Sequence, residues 1–359
     1  MNDSIKVFSD VDYSVKHHWV NHLIHPIRAY LGDGTPEWNK WEKDFLFYKD
    51  NFILTDNAEE SDVGFLPMTL NYYIKYNQLY KVDKIADHLM SYGKFLFVWV
   101  EGDQSIRYDH PNCIFIKYFG KKSYKKKNEI IQPGDLKQDL LKLYFDGQLQ
   151  IREKSNNPII GFDGIARYPF YKIIISILKN SIAKIDYLLF NRMIKYDPVI
   201  PNPIKRKKYL DLLKKQDAIQ TNFKLRRTFA PGTIGGSEIA RRAFIDNIIG
   251  SDYTFCYRGA ANYSLRFYET LCLGRIPLFI DTDCKLPFDD IIDWEGICLW
   301  VNQSDIDKID EVIIDFHLKL TNSQFIERQV YCREIWEKYL SKQGFINNLN
   351  LSIKEKFIN

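Results

Sequence analysis

Residues 257–281 read YRGAANYSLRFYETLCLGRIPLFID, and the order of residue types in this stretch decides the fold. The run that feeds it, YTFCY (253–257), is β-branched and aromatic, which predicts a strand ending at Arg258-Gly259. In open α/β sheets ligands bind at the carboxyl ends of strands, so Arg258 is a candidate ligand contact. Ser264 precedes LRFYETLCLG, in which Leu265, Tyr268 and Cys272 share one helical face and Gly274 supplies a stop. The spacing therefore predicts a helix capped by Ser264, its amino end and positive dipole turned toward the crevice that holds Arg258. Arg266 adds a full charge to the first turn, and the site suits an anion such as a diphosphate. Glu269 lies three residues on, with the reach to accept hydrogen bonds from ribose or sugar hydroxyls; the same spacing also makes an ordinary surface pair with Arg266. GRIPLFID then ends the helix and starts a buried strand in which Pro277 stands at a tolerable position, completing a βαβ unit.

Composition frames this reading. The chain has 359 residues, 45% of them hydrophobic and 27% charged, enough apolar material for two cores and too much for a disordered chain. A formal net charge of +4 is small for this length and gives no reason to expect nucleic acid as a partner. Two basic runs, KKSYKKKN at 121–128 and KRKK at 205–208, are either solvated segments or attractors for an anionic membrane surface or a phosphorylated acceptor. The six cysteines have neither CxxC pairing nor zinc spacing and read as reduced, buried thiols. The start, MNDSIKVFSDVDYS, has no cationic leader followed by an apolar core, and runs such as FLFVWV and IIISIL are much too short to span a bilayer. A cytoplasmic protein is expected, with peripheral contact at the inner face of a membrane as the possible exception. Three Asn-x-Ser tripeptides, at 262, 302 and 350, are read as coincidence in that setting.

Along the chain, short strand-like runs alternate with helical ones, the pattern of parallel sheets covered by helices. IKVFSD (5–10), FILTD (52–56), VGFLP (63–67), KFLFVWV (94–100) and CIFIKYF (113–119) read as N-terminal strands. Between them, Leu79, Val82, Ile85, Ala86 and Leu89 recur at helical spacing before Gly93. A second set begins at PIIGF (158–162), passes through YPFYKIIISILKN and resumes with YTFCY, IPLFI and ICLWV. The polar stretch DGQLQIREKSNNP marks the change, so the division expected is residues 1–150 and 151–359.

The succession SDYTFCYRG, YSLRFYETLCLGRIPLFIDTDCKLPFDDIIDWEGICLWV and SDIDKIDEVI, residues 251 to 314, resembles the nucleotide-sugar-binding half of the exostosin family of glycosyltransferases. EESDVGFLPM and PIIGFDGIARYPF resemble other parts of that family in outline, while Thr270 and Arg275 stand where it often has Ala and Cys. The resemblance implies an α/β fold of GT-B type, two facing Rossmann-like domains with parallel sheets. The N-terminal one would sit on the acceptor side and the C-terminal one would bind the nucleotide sugar. It implies transfer, with inversion, from a nucleotide-diphosphate sugar, usually a UDP-sugar, to a hydroxyl of a glycan or lipid-linked glycan, as in surface polysaccharide synthesis. Arg258, Gly259, Ser264, Arg266 and Glu269 carry over as donor-binding residues, and Arg167 joins them as the Arg of a Gly-turn element.

The chemistry needs stabilisation of the departing nucleotide diphosphate and a base for the acceptor hydroxyl. The arginines and the helix end meet the first need, so no metal or other cofactor is expected. For the base, Asp10 and Asp12 after the first strand and Glu101 and Asp103 after FLFVWV are the candidates, though each also suits a turn or cap. Asp281-Thr-Asp283 imitates the metal-binding Asp-x-Asp of a different glycosyltransferase fold and is read as turn chemistry. HHWVNHLIH (17–25) lacks the partners of a zinc site, and APGTIGGSEIARRAF (230–244) reads as a loop before a helix capped by Ser237. Two other readings stand beside this one: a fucosyltransferase-like GT-B enzyme using a GDP-sugar, and a noncatalytic module binding sugar or lipid phosphate.

Overall fold

The computed structural model describes residues 4–15, 23–31, 48–102, 105–124, 126–134, 136, 138–167, 169–190, 194–195, 199–227 and 237–358. Asp103, most of the 17–25 histidine segment and the 230–236 glycine loop fall outside them.

Two parallel sheets carry the fold. The first has the order β2-β1-β3-β4-β6-β7, formed by β1 (Ile5–Phe8), β2 (Phe52–Thr55), β3 (Val63–Phe65), β4 (Leu96–Val100), β6 (Cys113–Lys117) and β7 (Glu129–Ile131). The second has the order β10-β8-β11-β12-β13, formed by β8 (Ile159–Ile165), β10 (Gln220–Arg226), β11 (Tyr253–Cys256), β12 (Ile276–Asp281) and β13 (Leu299–Asn302). A short antiparallel pair, β5 (Ser105–Ile106) with β9 (Ile194–Lys195), ties the two halves together. The five N-terminal runs and the four strand-like runs of the C-terminal half all form strands, as expected for segments covered by helices on both faces. β4 and β11 are buried along their whole length. All six cysteines are buried free thiols.

Each sheet has its own apolar core, and the chain trades segments between the two. Leu140 and Leu141 pack into the core of the second sheet, while Phe345, Ile346, Leu349 and Ile353 of the final Lys342–Ile353 helix pack into the core of the first. The polar stretch at 145–157 is not a slack linker. Arg152 pairs with the buried Asp252 at 2.7 Å, and its main chain exchanges hydrogen bonds with Gln329 at 3.0 and 2.7 Å.

The carboxyl ends of β6 and β12 meet across the seam between the halves. Lys122 reaches Asp281 at 2.8 Å and lies over the Trp300 ring, and the main-chain N–H and hydroxyl of Ser123 donate to Asp283 at 2.9 and 2.6 Å. Tyr118 stacks on Tyr263 with ring centres 5.8 Å apart. Asn262 is buried at this seam, donating to the carbonyls of Gly120, Thr282 and Asp283. Both halves thus present strand carboxyl ends to one another, the facing arrangement implied by the GT-B resemblance. Part of the 121–128 basic run is therefore a structural clasp.

Candidate functional site

β11 runs buried to Cys256 and emerges at Tyr257-Arg258-Gly259, where the loop closes through a 2.8 Å bond from the Gly259 N–H to the Tyr263 carbonyl. Ser264 then takes the N-cap position of the Leu265–Cys272 helix, but its hydroxyl makes no capping bond. Residues 267–272 of the helix are all buried, with Phe267, Tyr268, Leu271 and Cys272 in the apolar core, and this packing fixes its roll so that Arg266 lies over the end of β8. There the Arg266 guanidinium lies 4.3 Å above the Phe162 ring and donates to the Asp163 carbonyl at 2.6 Å. Burial pulls it below the ordinary arginine value, partly offset by the nearby thiol of Cys256 and carboxylate of Glu269. Gly164 makes this possible, because a Cβ there would come within 2.6 Å of Arg266 Nη2.

A third arginine joins Arg258 and Arg266. Arg206, within the KRKK run, turns inward from the Asn202–Leu213 helix and donates to the Ile165 carbonyl at 2.8 Å and the Arg258 carbonyl at 2.9 Å. It shares the Phe162 ring with Arg266, and burial, followed by repulsion from Arg266, brings it down to about 9. Asn202, one turn earlier on the same face, is buried and donates to the Gly259 carbonyl. The loop after β11 is therefore held from below by Asn202 and Arg206. The sequence reading missed both, although Asn202, Arg206, Tyr209, Leu210 and Leu213 fall on one face at helical spacing, and the apolar members of that face are buried. The Nε–H groups of Arg206, Arg258 and Arg266 are all buried and have no hydrogen-bond partner among the described residues. The Arg206 and Arg266 guanidiniums thus share the Phe162 ring at the end of β8 and repel each other, a cost that a bound anion would relieve, while Arg258 meets Arg206 through its main-chain carbonyl.

Glu269 is buried, and its partner is not Arg266. Arg241, on the Glu238–Ile249 helix, donates to Glu269 Oε1 at 2.7 Å. The segment read as an ordinary helix start thus contributes to the site, and Ser237 does cap it, accepting from the Ala240 N–H. Thr270 bonds the Arg266 carbonyl at 2.7 Å, and Arg275 is buried at the opposite end of β12 against Ile249 and Gln329. Arg167 is exposed just past β8, its main-chain N–H bonded to the Arg226 carbonyl. Arg226 itself clasps the buried Asp163 in a bidentate pair, and that contact holds its guanidinium above the ordinary value.

The four carboxylate candidates are placed differently. Asp10 caps a single 3-10 turn at Val11–Tyr13, accepting from the Asp12 N–H at 2.9 Å. Both aspartates line a cavity of about 660 Å³ with Tyr13, Asp56, Tyr80 and Lys81, and every residue lining it belongs to the N-terminal half. Glu101 follows β4 and exchanges main-chain hydrogen bonds with the Asn71 side chain at 2.9 and 2.8 Å. Asp103 lies outside the described residues. Asp281 and Asp283 are engaged by Lys122, Ser123 and the Cys284 N–H. Among the described residues no group of three or more His, Cys, Asp or Glu side chains is arranged to share a metal ion.

No protein-family model matches the chain. Curated relatives do. A probable glucuronosyltransferase of rice is 33% identical over 95 residues, 26% of this chain and 20% of that protein. A second rice protein of the same description is 38% identical over 61 residues, 17% of this chain and 14% of its own length. The Arabidopsis probable glucuronoxylan glucuronosyltransferase IRX7 is 32% identical over 94 residues, 26% of this chain and 18% of that protein. The chain spans about one fifth or less of the length of these relatives. This similarity is consistent with the exostosin-type resemblance. Among solved structures, that of TarM aligns with a TM-score of 0.35 and 10% identity over 72% of this chain and 50% of that one.

Proposed function

We propose that the chain transfers a sugar from a nucleotide-diphosphate sugar to a hydroxyl of a glycan or lipid-linked glycan, with inversion at the anomeric carbon. The observation that carries this reading is the meeting of Arg206 and Arg266 on the Phe162 ring at the carboxyl end of β8, with buried Nε–H groups that have no partner among the described residues, beside the main chain of Arg258 that follows β11. Negative charge grows on the diphosphate as the glycosidic bond breaks, and donors already in position stabilise that charge with little reorganisation. The similarity to proteins named glucuronosyltransferases supports the same reaction class and makes a UDP-linked uronic acid the first donor to test.

In this reading Arg258, Arg266 and Arg206 contact the diphosphate, Arg206 also fixes the loop, and Ser264 and Gly259 shape the approach to the helix end. Glu269, oriented by Arg241, accepts from nucleoside or sugar hydroxyls, and Arg167 guards the mouth. The base comes from the N-terminal half, with Asp10, Asp12, Glu101 and Asp103 as the candidates. No metal is required, because the arginines already supply the positive charge.

A panel of UDP- and GDP-sugars, with released nucleotide as readout, tests the reading. Turnover of a UDP-sugar that persists in EDTA and is crippled by Arg258→Ala and Arg266→Ala is the expected result. Preference for a GDP-sugar would move the enzyme to the fucosyltransferase-like class. Nucleotide binding without turnover of any donor would leave a noncatalytic module. Loss of activity in EDTA, restored by manganese, would make ligands of Asp281 and Asp283.

A further inference from the structure

The Phe170–Leu189 helix is built inside out. At 1.5 Å per residue its twenty residues extend about 30 Å, yet none of them is buried. Its large apolar side chains recur at helical spacing and point away from the protein: Ile175 is 59% exposed, Leu178 59%, Ile182 60% and Leu189 72%. The half-buried side is the more polar one. There the Tyr187 hydroxyl accepts from Arg107 Nε at 3.1 Å under a guanidinium stacked 4.1 Å from its ring, and Asn180 donates to the Val199 carbonyl. These contacts, with the β5–β9 pair just beyond the helix, fix which side faces outward. An apolar stripe of this length on a protein surface marks an interaction site.

Charge identifies the occupant. At 100° per residue, Lys172 and Lys179 border one edge of the stripe and Lys184 the other, all three exposed, and Asp186 is the helix's one acidic residue. Ile173, near the helix start and half-buried on its inner side, lines a separate cavity of about 430 Å³ with Lys207, Lys208, Asp211 and Lys215. An apolar face rimmed by lysines matches the boundary between acyl chains and anionic headgroups, with the apolar face in the hydrocarbon and the cations among the phosphates. A second copy of this chain would instead bring like-charged rims together. No helix among the described residues is long and apolar enough to cross a membrane, so the contact is one of lying on the surface. We infer that the Phe170–Leu189 helix docks the protein onto an anionic lipid surface. The inference stands on the helix alone and does not depend on the reaction proposed above.

Sedimentation of the full chain with phosphatidylcholine vesicles, with and without phosphatidylglycerol, tests it. The expected result is binding to the anionic vesicles that weakens with added salt, and a loss of at least about tenfold in Leu178→Glu/Ile182→Glu. Both substitutions lie on the exposed face, so thermal stability and UDP binding should be unchanged in the same preparation. Lys172→Gln/Lys179→Gln, which leaves the apolar face intact, should abolish the preference for phosphatidylglycerol. Wild-type protein that ignores both vesicle types, or binds them equally well after the glutamate substitutions, overturns the inference. So does a dimer in analytical ultracentrifugation that the glutamate pair dissociates, since the stripe would then be an interface between copies.

Discussion

Arg206→Met separates a binding cation from a structural one. The substitution roughly keeps side-chain volume and removes the charge. Holding a guanidinium at about 9 instead of its ordinary value corresponds to roughly 5 kcal/mol of cost for keeping it ionised inside the protein. Against this stand its two charge-assisted hydrogen bonds, to the Ile165 and Arg258 carbonyls, each contributing about 1.5–3 kcal/mol. The two terms nearly cancel, so the free protein should change in stability by no more than about 2 kcal/mol in either direction. Diphosphate binding has no such compensation, since losing one charge-assisted contact of about 1.5–3 kcal/mol weakens affinity roughly 10- to 150-fold. Urea unfolding and calorimetric titration with UDP read the two quantities on one preparation. A variant that binds UDP within about threefold of wild type while losing more than about 3 kcal/mol of stability would show that Arg206 only braces the strand ends. The same pattern would refute the reasoning that its buried charge is kept for an anion.

Gly164→Ala places a methyl group where Arg266 Nη2 now lies; the long side chain can retreat, so UDP affinity should fall at least about fivefold with under about 1 kcal/mol of lost stability, and equal affinity in a titration would deny Arg266 its assigned place. Glu269→Gln keeps one acceptor oxygen but loses the charge that Arg241 meets, so donor affinity should fall by roughly 1–2 kcal/mol with the shape of the pH–rate profile intact; disappearance of one limb of that profile would make Glu269 the catalytic base. His317 is buried and its pKa is lowered by that burial, with Nδ1 beside the Tyr253 hydroxyl and Nε2 beside the Ser155 carbonyl. Below its ordinary value of 6.5 the unfolded chain binds a proton that the folded chain resists, so stability falls with pH in that range. His317→Gln should flatten the fall in urea midpoint as pH drops below 6.5, and an unchanged slope would place the acid sensitivity elsewhere.

The strands were legible because they are parallel and covered on both faces, so LFVWV and IPLFI appear in sequence as unbroken apolar runs. β10 was not, and the reason is its position. QTNFKLR forms one edge of the second sheet with none of its residues buried, and nothing in it but register with β8 separates it from a polar loop. The C-terminal helix likewise gives no local sign that its apolar face completes the core of the other half, because a hydrophobic pattern states that a face is buried and not against what.

The charged residues show the same limit more sharply. Both basic runs read as solvated segments or as attractors for an anionic surface or phosphorylated acceptor, and each is divided: Lys122 is bonded to Asp281 and Arg206 turns half-buried against the strand ends, while Lys208 stays largely exposed. Composition could not divide them, since charge fixes what a residue must find and not where the chain will supply it. Periodicity could have done so for Arg206, which stands three, four and seven residues before Tyr209, Leu210 and Leu213, all buried. An arginine on the apolar face of a helix has to meet main-chain carbonyls, a carboxylate or a ligand, because an unpaired buried charge is too costly to keep. Among the described residues it finds two carbonyls and no carboxylate within ion-pair distance, alongside a second half-buried arginine that repels it. An arrangement that brings like charges together lowers stability by itself, and although Glu269 and Asp163 offset part of the cost at Arg266, a bound anion would remove more of it. The local misfit that makes Arg206 hard to explain as structure is what makes it informative about function.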